Sequence, residues 1–151
     1  MKHSITIHTP LGKMIALGDN SYIYSLTFSD NNSTHNKSTE ALDFLRQELD
    51  LYFSKKLKIF KSKLSPQGTI FQESVWKYLQ TVPYGTTTNY QAIASKMNQP
   101  KSYRAVANAN AQNTILILIP CHRIIRKNGD ISGFAAGVER KEFLLNHEKN
   151  L

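Results

Sequence analysis

The sequence predicts an α+β fold, with a small strand-rich N-terminal (α/β) lobe and a mostly helical C-terminal lobe. Three short runs of alternating apolar residues come first, and apolar residues at helical spacing follow them. A chain of 151 residues is long enough for one domain or for two small lobes. We expect the boundary at the turn that begins with Ser65, which gives lobes of residues 1–64 and 65–151.

The first lobe begins with three predicted strands, Ser4–Thr9, Lys13–Leu17 and Tyr22–Phe28, separated by turn residues. After a polar loop, Ser38 or Thr39 caps one predicted helix. Its apolar face is formed by residues at helical spacing, namely Leu42, Leu45, Leu49 and Tyr52. A Lys-rich linker, residues 55–63, leads to the second lobe.

The second lobe is predicted to contain a helix-turn-helix of winged-helix type. A capping box at Thr69–Gln72 starts a first helix, and Pro83 helps to end it. The same pattern opens a helix over Thr88–Met97, and another helix follows over Ser102–Gln112. Two short helices joined by a tight turn with a proline are typical of this DNA-binding motif, although helix pairs are also common in packed cores.

The composition of the helix over Ser102–Gln112 suits close approach to a nucleic acid. Small side chains let a backbone come near a partner, and amides bond to phosphates or base edges. An Ala-rich helix chosen for its propensity is the plain alternative. Besides Arg104, this helix holds small and amide residues, namely Ala105, Ala107, Ala109, Ala111, Asn108, Asn110 and Gln112.

The charge of the chain favours an anionic partner. Nineteen Lys and Arg residues against eleven Asp and Glu residues give a net charge of +8. A surface of one sign attracts polyanions such as nucleic acid, although a solubilising surface would have the same charge. Between Ser65 and Gly129 only Glu73 opposes a set of cations, namely Lys77, Lys96, Lys101, Arg104, Arg123, Arg126 and Lys127.

The sequence predicts a soluble, cytoplasmic protein without a metal. The longest apolar run, Ile115–Ile119, is far shorter than the roughly 20 residues that span a bilayer, and we expect no signal peptide because the first residues alternate between polar and apolar. A single cysteine excludes an intramolecular disulfide and a Cys-rich zinc site. His3, His8 and His35 lack metal-ligand spacing, so we expect them to be solvated.

The only cysteine is the candidate nucleophile. Cys121 follows Ile115–Ile119, which has the pattern of a fully buried strand. Most lone cysteines are inert small hydrophobic residues, but His122 and Arg123 are groups of the kind that favour a reactive thiolate. The histidine needs an orienting carboxylate, and spacing alone leaves three candidates, namely Glu139, Glu142 and Glu148.

The segment Pro120-Cys121-His122-Arg123 after an Ile/Leu run resembles the reactive motif of the O6-alkylguanine-DNA alkyltransferases, the methylated-DNA–protein-cysteine methyltransferases. The first lobe is only compatible with the variable strand-rich N-terminal domain of that family. Other family segments occur in the family's order over residues 69–148, namely Phe71-Gln72, Val75-Trp76, Val82-Pro83-Tyr84-Gly85, Tyr90-Gln91, Pro100-Lys101, Arg104-Ala105-Val106, Ser132-Gly133-Phe134, Arg140-Lys141-Glu142-Phe143-Leu144-Leu145 and His147-Glu148.

The resemblance implies a suicide DNA-repair reaction that needs no cofactor. The damaged nucleotide rotates out of the duplex, and Cys121 attacks the alkyl carbon of O6-alkylguanine. His122 accepts the thiol proton through a water, and Glu148 steadies His122. Tyr90 engages the flipped base and protonates it as it leaves, while Asn113 is a hinge between recognition helix and reactive loop. The thioether product cannot be cleaved, so each molecule acts once.

The resemblance also assigns the contacts of a monomer with double-stranded DNA, entered from the minor groove. Arg104 fills the vacated stack, and Phe134 and the backbone N–H of Ala135 line the base pocket. O4-alkylthymine is a further candidate lesion. The remaining DNA-binding residues of the recognition helix are Ser102, Tyr103, Ala105, Ala107 and Asn108.

Three positions depart from the family pattern, and two other functions stay open. Thr114 replaces a common proline after the hinge, Phe134 replaces a common tyrosine, and Tyr103 is bulkier than usual. A non-catalytic module that binds alkylated bases would hold the lesion without alkyl transfer. A cysteine hydrolase would turn over an ester repeatedly, but the hydrolase signatures are absent from the sequence.

Overall fold

The computed structural model describes residues 2–131 and 134–149, in two compact units, Met1–Gln67 and Gly68–Leu151. The first unit is strand-rich and the second is mostly helical, which confirms the α+β prediction. Ser132 and Gly133 of the family motif lie outside the described residues. Within those two ranges, every helix is too short or too polar to cross a bilayer.

The N-terminal unit is a three-stranded antiparallel sheet with one helix. The strands β1 (His3–Thr9), β2 (Gly12–Gly18) and β3 (Ile23–Phe28) lie in chain order, and α1 (Glu40–Phe53) contacts the first two. The alternation of apolar and polar residues predicts these strands, because successive side chains of a strand point to opposite faces of the sheet and one of those faces is buried. The helix begins after Thr39, whose hydroxyl accepts the N–H of Leu42 at 3.2 Å. The apolar stripe predicted for this helix is buried, namely Leu42, Leu45, Leu49 and Tyr52.

A buried carboxylate fastens the Lys-rich segment to this unit. Glu48 of α1 is only 3% exposed. Its oxygens accept the backbone N–H groups of Lys61 at 2.7 Å and Ser62 at 2.9 Å, and the Ser62 hydroxyl at 2.7 Å. Each bond compensates part of the cost of burying the charge. The segment that the sequence presents as a linker is therefore fixed where it passes α1.

The end of the same segment pairs with β3. The N–H of Ile23 donates to the carbonyl of Lys63 at 2.9 Å, and the N–H of Ser65 donates to the carbonyl of Ile23 at 2.8 Å. These two bonds hold the chain in the N-terminal unit up to Gln67. The unit thus ends three residues beyond position 64, where the sequence-based boundary lies.

The C-terminal unit begins with α2 (Ile70–Leu79), which carries the predicted capping box. Thr69 Oγ1 accepts the N–H of Gln72 at 3.1 Å, and Gln72 Oε1 accepts the N–H of Thr69 at 2.9 Å. The indole of the buried Trp76 donates to the carbonyl of Ala109 at 2.9 Å. That bond ties α2 to α4 (Tyr103–Ala111).

The helix-turn-helix consists of α3 (Tyr90–Lys96) and α4, joined by a tight turn with a 3₁₀ segment at Pro100–Ser102. Asn89 caps α3 by accepting the N–H of Ala92 at 2.8 Å. The predicted cap, Thr88, instead lies with Asn89 in β4, which pairs in parallel with β5 (Ile124–Ile125). The strand conformation of Thr88 places the cap one residue later than the sequence pattern indicated. The last element of the described residues is α5 (Val138–Lys149).

Candidate active site

The Ile/Leu run before the cysteine is buried, but it is not a strand, so that prediction is wrong. Residues 115–119 form successive turns in which Ile119 N–H bonds Ile115 O at 3.1 Å. Asn113 closes them, because its Oδ1 accepts the N–H of Ile115 at 2.9 Å and its Nδ2 donates to Ile119 O at 2.8 Å. An apolar run indicates burial, and a side chain that satisfies backbone groups decides the conformation.

The same turns contain a strained residue. Ile117 has φ +73°, a left-handed conformation that a β-branched side chain rarely adopts. Such strain persists only where the surroundings enforce it, and here the surroundings are the Asn113 bonds and full burial of the Ile117 side chain. Asn113 lies between α4 and the reactive segment, the place expected for a hinge, and its side chain shapes the backbone that leads to Cys121.

Cys121 starts a 3₁₀ turn, Cys121–Arg123, and is 2% exposed. Burial raises the pKa of the Cys121 thiol to about 11, and a hydrogen bond with Asn113 only partly offsets this. The thiol is therefore protonated at neutral pH in the free protein. The expectation that the adjacent cation favours the thiolate is wrong, because Arg123 is engaged elsewhere. The thiol needs a base to remove its proton.

The neighbouring histidine is held by a buried carboxylate. His122 Nε2 lies 2.7 Å from Glu148 Oε2. Arg123 donates two hydrogen bonds to the same carboxylate, from Nε to Oε1 at 2.7 Å and from Nη2 to Oε2 at 3.0 Å. Its third nitrogen, Nη1, donates to the carbonyl of Val82 at 2.8 Å. Of the three glutamates left open by spacing, Glu139 and Glu142 are exposed, whereas Glu148 is 2% exposed and pairs with His122.

The directions of the pKa shifts indicate which of these side chains carry a proton at neutral pH. Burial opposes ionisation of Glu148, but the hydrogen bonds from His122 and Arg123 outweigh burial and hold its pKa well below its usual range. Burial lowers the pKa of His122 in spite of that carboxylate, so the imidazole is neutral at pH 7. An ionised Glu148 accepts from Nε2–H, which leaves the lone pair on Nδ1. Among the described residues, Nδ1 has no hydrogen-bond partner. His122 is therefore built to accept a proton at Nδ1.

Two residues contact this centre in ways that the sequence analysis did not predict. Lys141 of α5 is fully buried, burial lowers its pKa, and its Nζ donates to Ile124 O at 2.6 Å, directly after the reactive turn. Its spacing to Leu144 and Glu148 places it on the buried stripe of α5, which is the signal that indicates it. Asn110, predicted to be one of the DNA-facing amides, points inward instead and donates from Nδ2 to Cys121 O at 3.5 Å.

The residues predicted to line the base pocket lie in two places, Tyr90 at the start of α3 and Phe134 and Ala135 before α5. Tyr90 is half-buried at the start of α3, and the pairing of β4 with β5 brings that start beside the segment after Arg123. Burial raises the pKa of Tyr90, so its phenol keeps a proton to donate. Phe134 is buried, and Ala135 is exposed in the turn that Gly137 N–H closes on Phe134 O at 3.0 Å.

The outer face of α4 presents the residue types expected of a groove-binding helix. Arg104, Ala105 and Asn108 are exposed, and the Arg104 guanidinium carbon lies 6.0 Å from the centre of the Tyr103 ring. Ser102 and Ala107 are half-buried beside them. No acidic side chain occurs in α4, so this face offers an anion only cations, amides and small groups.

Two family models cover almost the whole chain. The DNA binding domain of 6-O-methylguanine DNA methyltransferase matches residues 70–150, and the ribonuclease-like domain of the same enzyme matches residues 2–66. The chain belongs to the 6-O-methylguanine DNA methyltransferase family. This confirms the resemblance read from the Pro-Cys-His-Arg motif, and it extends membership to the N-terminal unit.

Curated and solved relatives agree with this membership. A methylated-DNA–protein-cysteine methyltransferase of Methanosarcina mazei is 44% identical, with 95% of each chain covered. The constitutive enzyme of that name from Bacillus subtilis is 38% identical, covering 99% of this chain and 96% of its own. The crystal structure of Mycobacterium tuberculosis OGT in complex with DNA superposes with a TM-score of 0.89 at 38% identity, covering 97% of this chain and 92% of that one.

Proposed function

We propose that this chain repairs O6-alkylguanine in duplex DNA by moving the alkyl group to Cys121. The observation that carries the proposal is the buried His122–Glu148 pair, placed directly after the only cysteine in a family of methylated-DNA–protein-cysteine methyltransferases. A neutral imidazole with a free Nδ1 is the base that a thiol with a pKa of about 11 requires. No metal or cofactor takes part in the step, because the damaged base carries the group to be transferred.

The reaction is a displacement at the alkyl carbon. His122 takes the thiol proton, through a water as the family resemblance implies, and Sγ of Cys121 forms a bond to the alkyl carbon as the carbon–O6 bond breaks. The bond electrons leave with the guanine, and Tyr90 supplies the proton that neutralises it. Glu148 stabilises the imidazolium, and Arg123 keeps Glu148 ionised. The thioether has no hydrolytic exit, so one molecule performs one transfer.

DNA delivers the lesion to this site. The base must leave the stack, since a protein nucleophile cannot reach it inside the duplex, and α4 with Arg104 is the element that approaches the groove. The M. tuberculosis OGT solved in complex with DNA supports this partner. We place the reaction in the cytoplasm, where an unpaired reactive thiol stays reduced.

Peptide mass spectrometry after mixing with an O6-methylguanine duplex tests the proposal. We expect the Cys121 peptide to gain one methyl group and the duplex to lose one. Cys121→Ser should bind the duplex with unchanged affinity and transfer nothing, because a hydroxyl gives up its proton to an imidazole far less readily than a thiol does and its oxygen is a weaker nucleophile than sulfur. Tight binding by the unaltered chain without a mass gain would instead support the lesion-binding module, and repeated ester turnover would support the hydrolase.

Arg104→Ala tests the base-extrusion step separately. We expect a large loss of transfer from duplex DNA and little loss with free O6-benzylguanine, because the free base needs no extrusion. The two rates are measured with the same protein preparation. Equal losses on both substrates would contradict a role of Arg104 in holding the base out of the stack.

A further inference from the structure

A cation-lined cavity lies between the helix-turn-helix and the turn that follows β5. Its volume is about 590 Å³, within the roughly 300–1,000 Å³ of small-molecule sites. Tyr90 and Arg104 line one side, and Arg126, Lys127 and Asn128 line the other. Three of the described lining residues are cations and none is an acid. Such a lining favours an anion of more than one charge.

The second side of this cavity is a fixed turn. Arg126 N–H donates to Asp130 O at 2.9 Å, Gly129 N–H donates to Arg126 O at 2.8 Å, and Asn128 Oδ1 accepts the N–H of Asp130 at 3.0 Å. Gly129 has φ +90°, which glycine adopts without strain. The turn follows directly on β5, so the positions of Arg126 and Lys127 are set by the strand that continues the reactive turn.

A polar atom in the wall of the cavity lacks a partner. Gln91 Oε1 is buried and unpaired among the described residues, and Gln91 lines the same cavity. A buried amide end without a partner is costly, so it is a place where a ligand atom is expected to bind. The Gln91 oxygen only accepts, so it suits an N–H of a base passing this wall, whereas phosphate oxygens, which also only accept, need the cations.

We propose that the turn 126–129, which we name the phosphate turn, binds the backbone phosphates that flank the extruded nucleotide. The inference rests on the proposed function, because it assigns the part of the DNA substrate that this turn recognises. Arg126 and Lys127 hold the phosphates on one side while Arg104 acts from the other. The phosphate turn thus reads a nucleotide within a strand and ignores a free base.

The test compares three variants over a series of salt concentrations. Arg126→Ala with Lys127→Ala removes both charges, Arg126→Lys with Lys127→Arg keeps them, and Lys77→Ala removes an exposed cation of α2 that does not line the cavity. Duplex affinity and the rate of Cys121 alkylation are measured with an O6-methylguanine duplex. The same rate is measured with free O6-benzylguanine.

For the double alanine variant we expect the slope of log affinity against log salt to fall by about 2 and duplex affinity to drop on the order of 10-fold or more. The rate with free O6-benzylguanine should stay within about twofold, since the phosphate turn touches no base in this proposal. The charge-retaining variant should keep the slope, and Lys77→Ala should change it far less than the double alanine variant does.

Two results would overturn the proposal. A slope equal to that of Lys77→Ala would show that the phosphate turn binds no phosphate. An equal loss with the free base would show that Arg126 acts instead through the nearby Tyr90 phenol. Absence of transfer from both substrates in the unaltered chain would mark failure of the proposed function, which separates that outcome from failure of the phosphate turn.

Discussion

Each unit of this protein buries a glutamate, and the two glutamates differ only in what surrounds them. Glu48 is 3% exposed and accepts two backbone N–H groups and a serine hydroxyl. Glu148 is 2% exposed and accepts from an imidazole and a guanidinium. A backbone amide does not titrate near neutral pH, whereas an imidazole gains and loses a proton there. Burial of a carboxylate by itself thus indicates a structural role, and a titratable partner makes the carboxylate a candidate for a role in the reaction.

The largest effect expected from this comparison concerns Arg123. Arg123→Met leaves Glu148 charged and buried without its guanidinium partner, which should cost about 3–5 kcal/mol in the free energy of unfolding. Ser62→Ala removes one of three bonds to Glu48 and should cost roughly 1–2 kcal/mol. Urea unfolding at neutral pH, followed by circular dichroism, measures both. A loss for Arg123→Met no greater than that for Ser62→Ala would show that Glu148 does not depend on the guanidinium.

Replacing each carboxylate by its amide separates structure from chemistry. Glu148→Gln removes the charge that stabilises the imidazolium, and we expect alkyl transfer to slow by about 100-fold, or about 2.7 kcal/mol in the barrier. Glu48→Gln should leave the rate per folded molecule within about twofold, because no group around Glu48 exchanges a proton in the reaction. Both expectations are checked by measuring single-turnover rates of the two variants with free O6-benzylguanine. Similar slowing in both variants would show that the two carboxylates do not differ in their part in the reaction.

The smallest effect is the pH dependence that the buried thiol should produce. The pKa of Cys121 is raised from 9.0 to about 11, so the folded state holds its proton more tightly than the unfolded state. Stability from this group is complete below pH 9 and is lost as pH rises towards 11, by about 1.4 kcal/mol at pH 10. Cys121→Ala should lack this part of the alkaline loss. The difference between the two unfolding curves at pH 7 and pH 10 measures it, and identical alkaline losses would contradict the raised pKa.

Several features of the fold follow from neighbouring residues and could be predicted. The three strands alternate because one face of a sheet is buried, and the capping box of α2 forms because Thr69 and Gln72 satisfy each other's backbone groups. The helix-turn-helix and the family membership also follow from local patterns, since Pro120–Arg123 and its companion segments are continuous in the sequence. The predicted methylated-DNA–protein-cysteine methyltransferase is confirmed by the curated relatives.

The arrangement around the sulfur required the tertiary structure. A run such as Ile115–Ile119 encodes burial but not whether it extends or turns, and the Asn113 side chain makes that choice. Spacing could not separate Glu148 from two other glutamates of its segment, because only packing decides which one meets His122. The pKa of Cys121 depends on desolvation, which is a property of the surrounding atoms. Sequence by itself determined which groups are present and which of them are neighbours along the chain, because those are local properties, while folding determined which distant groups meet and which are withdrawn from water.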